Sequence, residues 1–243
     1  MNPAAIHNPT CCIIVPAYLE ERLIADVVRR MLQVLQPVIV IDDGSPDRTA
    51  EQAASAGAVV LRHARNQGKG AALHTGFLYA KEHGFDTLIT MDADGQHAPA
   101  DICRFLEAYA STGIPVLVGN RMENPAPMPR VRRWTNRFMS WYLGREMKQV
   151  VPDTQCGFRL YRCDILPSEA PNSMGYAAES EILLQLATRG VRMGSVPITV
   201  IYQDETSKIH PIRDTLRFFR MIRRYRQSTR HADRGTPPGA GLN

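Results

Sequence analysis

Two carboxylates one residue apart are the side chains of this sequence best suited to chemistry. Asp92 and Asp94 follow an apolar run, in the segment Met91-Asp92-Ala93-Asp94-Gly95-Gln96-His97. In a turn both can face one side, and carboxylate oxygens are ligands that Mg²⁺ and Mn²⁺ prefer. A substrate pyrophosphate would complete the shell of such a metal, which would neutralise a departing diphosphate. The alternative is an acidic turn that merely ends a strand, and the spacing alone does not decide between the two.

Three other polar segments also follow apolar runs. Asp42-Asp43-Gly44-Ser45 can accept hydrogen bonds from a nucleobase or ribose, or only form a turn and a helix cap. Arg65-Asn66-Gln67-Gly68-Lys69-Gly70 suits a phosphate or an ordinary helix entry, and it lacks the Ser/Thr of a P-loop. Pro16-Ala17-Tyr18-Leu19-Glu20-Glu21 can cradle a base, or only end a strand and cap a helix.

The elements that must position these segments alternate between strand and helix. Unbroken apolar runs predict strands buried on both faces, at residues 11–15, 37–41, 59–61 and 86–91. Helical patterns lie between them, at residues 20–35, 47–56 and 69–83. This alternation predicts the α/β class, with a mostly parallel sheet and helices on both faces. Because ligands bind beyond the carboxyl ends of such strands, we expect the four polar segments to form one site.

The second half of the chain is less regular. The patterns predict a strand at 116–119, a Pro-rich loop at 124–130, helices at 131–147 and 177–189, a strand at 199–202 and a basic helix at 210–226. We therefore expect one domain over 1–209, an amphipathic helix over 210–228 and a disordered tail over 229–243.

Composition narrows the class of protein. The 243 residues are 44% hydrophobic, enough to form a core, and the five cysteines show no paired zinc-ligand spacing, which favours a reducing, intracellular compartment. No apolar run approaches the ~20 residues that cross a bilayer, and no signal peptide is evident.

Residues 207–243 carry nine Lys/Arg against two Asp/Glu, whereas the rest of the chain has a slight acidic excess. This predicts an anionic surface or ligand at the C-terminal end, and no nucleic acid, since no recognition motif is present.

Taken in order, the four polar segments resemble the signature of glycosyltransferase family 2, and in particular dolichyl-phosphate mannose synthase and related polyprenyl-phosphate glycosyltransferases. The resemblance runs from about Cys12 to Lys208. It implies a GT-A fold, a nucleotide-diphosphate sugar donor such as GDP-mannose or UDP-glucose, Mg²⁺ or Mn²⁺, and inversion at the anomeric carbon. The sequence departs from the family pattern at two places. Leu19 stands where the family usually has Asn, and Asp204-Glu205-Thr206 stands where an Arg and a Gly are common.

The resemblance also implies roles for individual residues. The nucleoside pocket would be lined by Pro16, Tyr18, Glu20 and Asp43, with Lys69 nearby. Asp92 and Asp94 would hold the metal, with Gln96 beside it. Arg121, in Gly119-Asn120-Arg121, would face the reacting phosphates, and residues 153–159 would flank the acceptor site. Ser207 and Lys208 would contact the donor diphosphate.

The acceptor decides which further groups are needed. A polyprenyl phosphate is already anionic, so its transfer needs no strong base but does need cations that hold the two anionic substrates together. Arg121, Arg133 and Lys208 are the candidates for these cations. A sugar or lipid hydroxyl, as in envelope polysaccharide or glycolipid synthesis, needs a carboxylate to take its proton. Glu179 and Glu181 are the candidates for that base, although acidic residues at a helix start also simply favour the helix dipole.

Apolar and basic residues alternate in two segments, which predicts peripheral contact with an anionic membrane at the inner face of the cell membrane. One segment is aromatic, with Trp134, Phe138 and Trp141 among arginines; the other is a stripe in the basic helix, Ile212, Leu216, Phe219, Ile222 and Tyr225. The alternative for the helix is packing on the core with a solvated basic face.

Two further functions fit the sequence less well. A non-catalytic nucleotide-sugar binding module would not need the Asp92/Asp94 pair together with Lys69. A nucleotidyltransferase would need a Gly-rich loop directly after the first strand, where Pro16-Ala17-Tyr18 stands.

Overall fold

The computed structural model describes residues 10–123, 128–173, 175–201 and 211–234, and at 176, 211–214 and 228–234 it describes the backbone alone. The strands of this described part are β1 (Cys11–Ala17), β2 (Val38–Asp42), β3 (Val59–Arg62), β4 (Thr87–Thr90), β5 (Val116–Asn120), β6 (Arg159–Arg162) and β7 (Met193–Pro197). The α-helices are α1 (Ile24–Leu32), α2 (Thr49–Ser55), α3 (Lys69–Glu82), α4 (Ile102–Thr112), α5 (Arg130–Met147), α6 (Tyr176–Thr188) and α7 (Pro211–Arg234).

The strands form one mixed sheet in the order β3-β2-β1-β4-β6-β5-β7. Strand β6 runs antiparallel to both of its neighbours, whereas the other neighbouring pairs are parallel. The apolar residues of β1 and β2 are almost completely buried, as expected for central strands covered on both faces. The α/β class and the mostly parallel sheet are therefore confirmed.

The predicted strand at 199–202 is wrong. The strand of this region is β7, which pairs in parallel with β5 and ends at Pro197. Beyond it, Val200 forms only an isolated antiparallel bridge with His97, and residue 202 lies outside the described part. Strand β5 itself ends at Asn120, the partner of Pro197, and the N–H of Ile198 donates to the carbonyl of Asn120 at this end.

Helix α7 differs from its prediction in length and in packing. It continues to Arg234, so residues 229–234 are helical and not part of a disordered tail. Gly or Pro first appears after that point, at Gly235 and Pro237, so nothing in 229–234 interrupts the helix. The remaining tail, 235–243, lies outside the described residues.

The apolar stripe of α7 is divided between two surroundings. Ile222 of the predicted stripe is buried in the common core together with Phe218 and Met221, which the stripe did not include, so the packing alternative holds for this part of the helix. Leu216 and Phe219 remain exposed. No helix within the described residues is long and apolar enough to cross a bilayer.

The Pro-rich loop predicted at 124–130 is described only at its end, because residues 124–127 lie outside the described part. Met128 is buried, and α5 begins at Arg130 directly after Pro129. The chain thus returns to the core just before the helix.

Candidate active site

The turn that follows β4 brings the acidic pair to the carboxyl edge of the sheet. Gly95 has a φ of +72°, which a glycine adopts without strain. The backbone N–H of Gln96 donates to Asp94 Oδ1 at 3.0 Å, and that of Asp92 donates to His97 Nδ1 at 3.3 Å. These two contacts close the turn and hold both carboxylates on it.

One ammonium group links this turn to α6. Lys69 is the first residue of α3, and its Nζ lies 2.5 Å from Asp92 Oδ1 and 3.2 Å from Glu179 Oε2. Glu179 is buried in the first turn of α6. Lys69 therefore lies with the carboxylates, where a phosphate-bearing substrate would meet them.

The pKa values of the two aspartates in the turn are shifted in opposite directions. Burial raises the pKa of Asp92, but the Lys69 ammonium and His97 outweigh this, so its pKa lies well below the usual value. Burial and the Asp92 carboxylate raise the pKa of Asp94. Burial lowers the pKa of His97 despite the carboxylates beside it. A neutral His97 agrees with its Nδ1 acting as a hydrogen-bond acceptor.

The donor set suits a divalent cation. Asp92 and Glu179 contact the Lys69 ammonium, and Asp94 lies in the same turn as Asp92, so three carboxylates gather here. A Cβ at Gly157 would lie 2.6 Å from Asp92 Oδ2, so only glycine leaves room for this carboxylate. No group of three or more His, Cys, Asp or Glu side chains arranged to hold a metal occurs among the described residues. A cation here would take two protein carboxylates and complete its shell from substrate and water.

Arg121 follows β5 and is held by a buried ion pair. Its Nε and Nη2 donate to Asp153 Oδ2 and Oδ1 at 2.6 and 2.8 Å, and its backbone N–H donates to Oδ2 at 3.2 Å. Burial lowers the pKa of the guanidinium, but Asp153 and more distant Asp92 raise it above its ordinary value. Among the described residues no acceptor is bonded to Nη1, so Arg121 retains donors for a further anion.

Asp43 anchors the loop that precedes α3. Its Oδ1 accepts hydrogen bonds from His63 Nδ1 at 2.7 Å and from the N–H of Gln67 at 2.9 Å, and its Oδ2 accepts from the N–H of Gly68 at 2.7 Å. His63 Nε2 lies 2.9 Å from Thr75 Oγ1. The carboxylate thus fixes the loop to the end of β2, next to the expected nucleoside pocket.

The other residues expected at the nucleoside pocket lie at the end of β1. Pro16 is half-buried in β1, opposite Ile41 of β2, and Tyr18 is 39% exposed. The backbone N–H of Glu20 donates to Thr49 Oγ1 at 2.9 Å. Leu19 has a φ of +58°, a conformation that Asn tolerates far better than Leu.

Glu181 binds the loop that precedes α6. Its Oε1 and Oε2 accept hydrogen bonds from the backbone N–H groups of Asn172 and Ser173, at 2.9 and 2.8 Å. Both oxygens therefore anchor the loop before α6, and a catalytic role of Glu181 stays a prediction. Glu179, two residues earlier, is the one that reaches Lys69.

Ser207 and Lys208 lie outside the described residues, so their expected contact with a diphosphate stays a prediction. The chain approaches this segment beside the acidic turn, because the N–H of Ile201 donates to the carbonyl of Gln96 at 2.9 Å.

Three residues of the site were not singled out from the sequence. The sequence pattern points to Asp153 and Arg159 only as parts of the segment 153–159. It does not point to His63 at all. Arg159 is fully buried and donates to the carbonyls of Cys156, Thr154 and Glu179, which ties the acceptor-flanking segment to α6. The one available signal for His63 was its place directly after β3.

Comparison with known proteins identifies the family. The sequence profile of the family described as "Glycosyl transferase family 2" matches residues 12–168. The chain is 31% identical over 218 residues to a UDP-N-acetylglucosamine–dolichyl-phosphate N-acetylglucosaminyltransferase of Methanococcus voltae, covering 79% of this chain and 86% of the relative. It is 30% identical over 207 residues to an undecaprenyl-phosphate mannosyltransferase of Micrococcus luteus, covering 79% and 83%. It is also 30% identical over 221 residues to a polyprenol monophosphomannose synthase of Mycolicibacterium smegmatis, covering 82% and 80%.

The fold is similar to that of glucosyl-3-phosphoglycerate synthase from Mycobacterium tuberculosis. The crystal structure of that enzyme with UDP has a TM-score of 0.66 at 22% identity, covering 82% of this chain and 74% of the other. Its complex with Mn²⁺ and UDP-glucose has a TM-score of 0.64 at 22% identity, covering 82% and 72%. This likeness establishes a GT-A-like fold. From its sequence, its fold and the arrangement of its acidic turn, the chain belongs to glycosyl transferase family 2.

Proposed function

We propose that this protein transfers a hexose, mannose or glucose, from a nucleotide-diphosphate sugar to a polyprenyl phosphate, with inversion at the anomeric carbon. The observation that carries the proposal is the acidic turn at the sheet edge, where Asp92 and Asp94 lie beside Lys69. Three curated relatives at about 30% identity bear names of transferases acting on polyprenyl phosphates, and this supports the acceptor class.

We assign the donor to the carboxyl edge of β1, β2 and β4. Pro16, Tyr18, Glu20 and Asp43 are the proposed contacts for the nucleoside, which is guanosine or uridine. Solved structures of the fold relative contain Mn²⁺ with UDP-glucose and Mg²⁺ with UDP, which supports either metal here. Asp92 and Asp94 would hold this ion, with Gln96 beside it, and the ion would offset the negative charge of the departing diphosphate.

The cations of the site would hold two anionic substrates together. Lys69 is close enough to Asp92 to donate to a diphosphate bound at the turn. Arg121 keeps its Nη1 donors for phosphate while Asp153 fixes its orientation. Lys208 and Ser207 are proposed contacts of the donor diphosphate, and Arg133, at the start of α5, of the acceptor phosphate.

A phosphate acceptor fits the carboxylates better than a hydroxyl acceptor does. Transfer to a hydroxyl needs a base for its proton, whereas a phosphate oxygen is already anionic near neutral pH. Glu181 has both oxygens occupied by the loop amides, and Glu179 is paired with Lys69. This favours the polyprenyl phosphate over a sugar or lipid hydroxyl.

We further propose that α5 and α7 face an anionic bilayer, at the cytoplasmic side of the cell membrane. Trp134, Phe138 and Trp141 of α5 are 73%, 49% and 60% exposed, and Leu216 of α7 is 57% exposed. The rings of Phe138 and Phe219 lie 6.4 Å apart, so the exposed side chains of the two helices adjoin. Aromatic side chains among arginines suit the headgroup region of such a membrane.

The test is a transfer assay with purified protein and Mn²⁺. Panels of GDP- and UDP-sugars are incubated with and without undecaprenyl or dolichyl phosphate, and release of the nucleoside diphosphate is measured. The proposal predicts release that depends on the polyprenyl phosphate and is lost in Asp92→Asn. Release that requires a sugar or lipid hydroxyl instead would overturn the acceptor assignment.

A further inference from the structure

A second cationic cavity lies between α7 and the loop that precedes α6. Arg217, Arg220 and Arg224 line it from α7, and their spacing of three and four residues puts them on one face of the helix. The cavity has a volume of about 170 Å³, which is room for a small anion.

The other described residues that line the cavity carry no negative charge. Ala177 and Met221 form a buried apolar floor, and Asn172 and Ser173 line the loop side. Glu181 is near the loop, but its oxygens are already occupied by the two loop amides. Arg220 and Arg224 form no ion pair with any side chain of the described part.

This arrangement concentrates positive charge at one point. Arginines one turn apart on a helix face repel each other, and a bound anion would relieve that repulsion. Arg217 also lies against the first turn of α6, because a Cβ at Gly175 would be 3.6 Å from its Nη1. The N-terminus of α6, which begins at Tyr176, adds the positive end of a helix dipole.

We propose that this cavity binds the phosphate group of an anionic ligand. Guanidinium groups match phosphate oxygens with paired N–H donors, and three of them around a small cavity can hold a single phosphate. The phosphate comes from the headgroup of an anionic lipid or from a free phosphate compound.

The cavity shares no lining residue with the proposed donor site. The loop between them packs on the start of α3, where a Cβ at Gly70 would be 2.8 Å from Pro171 Cγ and 3.3 Å from the carbonyl of Ser173. Lys69 contacts Asp92 and Glu179, and none of these three residues lines the cavity. The inference therefore goes beyond the proposed transfer reaction, and its failure would leave that reaction untouched.

The test compares two charge-matched double variants of the full chain, without any nucleotide sugar present. Arg220→Gln/Arg224→Gln removes two cavity arginines, whereas Arg223→Gln/Arg29→Gln removes two exposed arginines that do not line it. All four side chains are exposed, so both variants are expected to fold, which circular dichroism checks. Binding is measured calorimetrically with inorganic phosphate, and by sedimentation with vesicles of phosphatidylcholine alone or in equal parts with phosphatidylglycerol.

We expect the cavity variant to bind at least about tenfold more weakly than the unmodified protein, and the control variant to bind nearly normally. This loss with inorganic phosphate identifies a free phosphate as sufficient, and the same loss only with phosphatidylglycerol vesicles identifies a lipid headgroup. Phosphate binding at the donor site would be unchanged in both variants and so cannot imitate this result. Equal losses in the two variants, or no binding of either probe to the unmodified protein, would overturn the proposal.

Discussion

Breaking the ion pair behind Arg121 should destabilise the protein far more than breaking a similar pair at the surface. In Asp153→Asn the side chain keeps one oxygen acceptor and presents an amide group to the guanidinium. The pair is almost fully buried, with the two side chains 8% and 0% exposed, so the charge of Arg121 would be left without compensation. Removing one partner of a buried pair costs about 3–5 kcal/mol. At about 2–4 °C per kcal/mol for a domain of this size, the melting temperature should fall by roughly 6–20 °C.

The chain offers a matched control for burial. Arg162 Nε lies 2.6 Å from Asp164 Oδ1, the same distance as Arg121 Nε from Asp153 Oδ2, but these side chains are 40% and 64% exposed. Asp164→Asn should therefore cost less than about 1 kcal/mol. Urea denaturation of both variants, followed by circular dichroism, gives the two free energies of unfolding. Similar costs for the two substitutions would refute the argument that burial makes the Asp153 pair essential.

Three further substitutions test other parts of the account. Leu19→Asn should stabilise the protein by about 1 kcal/mol, because Leu19 has a φ of +58°, and Leu19→Ala, which keeps the strained Cβ, should give no such gain in urea denaturation. Asp94→Asn should raise the melting temperature of the metal-free protein at neutral pH, because burial and the Asp92 carboxylate raise the pKa of Asp94, so its ionised form costs stability. The gain should shrink once the pH falls through the raised pKa of the folded protein, and it should vanish below the ordinary pKa of an aspartate in the unfolded chain. Glu181→Gln should lower the free energy of unfolding by about 1–3 kcal/mol while turnover of the folded enzyme stays near normal, and a collapse of turnover would restore Glu181 as a base.

The first half of the fold could be predicted from the sequence because its strands are unbroken apolar runs. Strand β6 could not, because it reads Arg159-Leu160-Tyr161-Arg162 and carries a charge at each end. Arg159 is nevertheless fully buried, since three backbone carbonyls and the hydroxyl of Tyr161 satisfy its guanidinium. These hydrogen bonds come partly from segments that are distant in the sequence. A pattern of residue types therefore does not reveal that the arginine can be buried.

In the candidate site, too, some residues could be predicted from the sequence and others could not. Asp92 and Asp94 are recognisable because both follow one strand, and Arg121 because it follows another. The choice between Glu179 and Glu181 was open, since residues two apart on a helix point about 200° away from each other and only one can face Lys69. The sequence does not show which face α6 turns to α3, so it could not reveal that Glu179 contacts Lys69 while Glu181 binds the loop before α6.

The most direct test is binding of Mn²⁺ to the purified protein in the presence of a nucleoside diphosphate, followed by electron paramagnetic resonance. The unmodified protein and the surface variant Asp164→Asn should bind the ion equally well, whereas Asp92→Asn and Asp94→Asn should each bind it at least about tenfold more weakly, a loss of about 1.4 kcal/mol or more. Unchanged Mn²⁺ binding in both Asp92→Asn and Asp94→Asn would contradict the claim that this turn holds the metal.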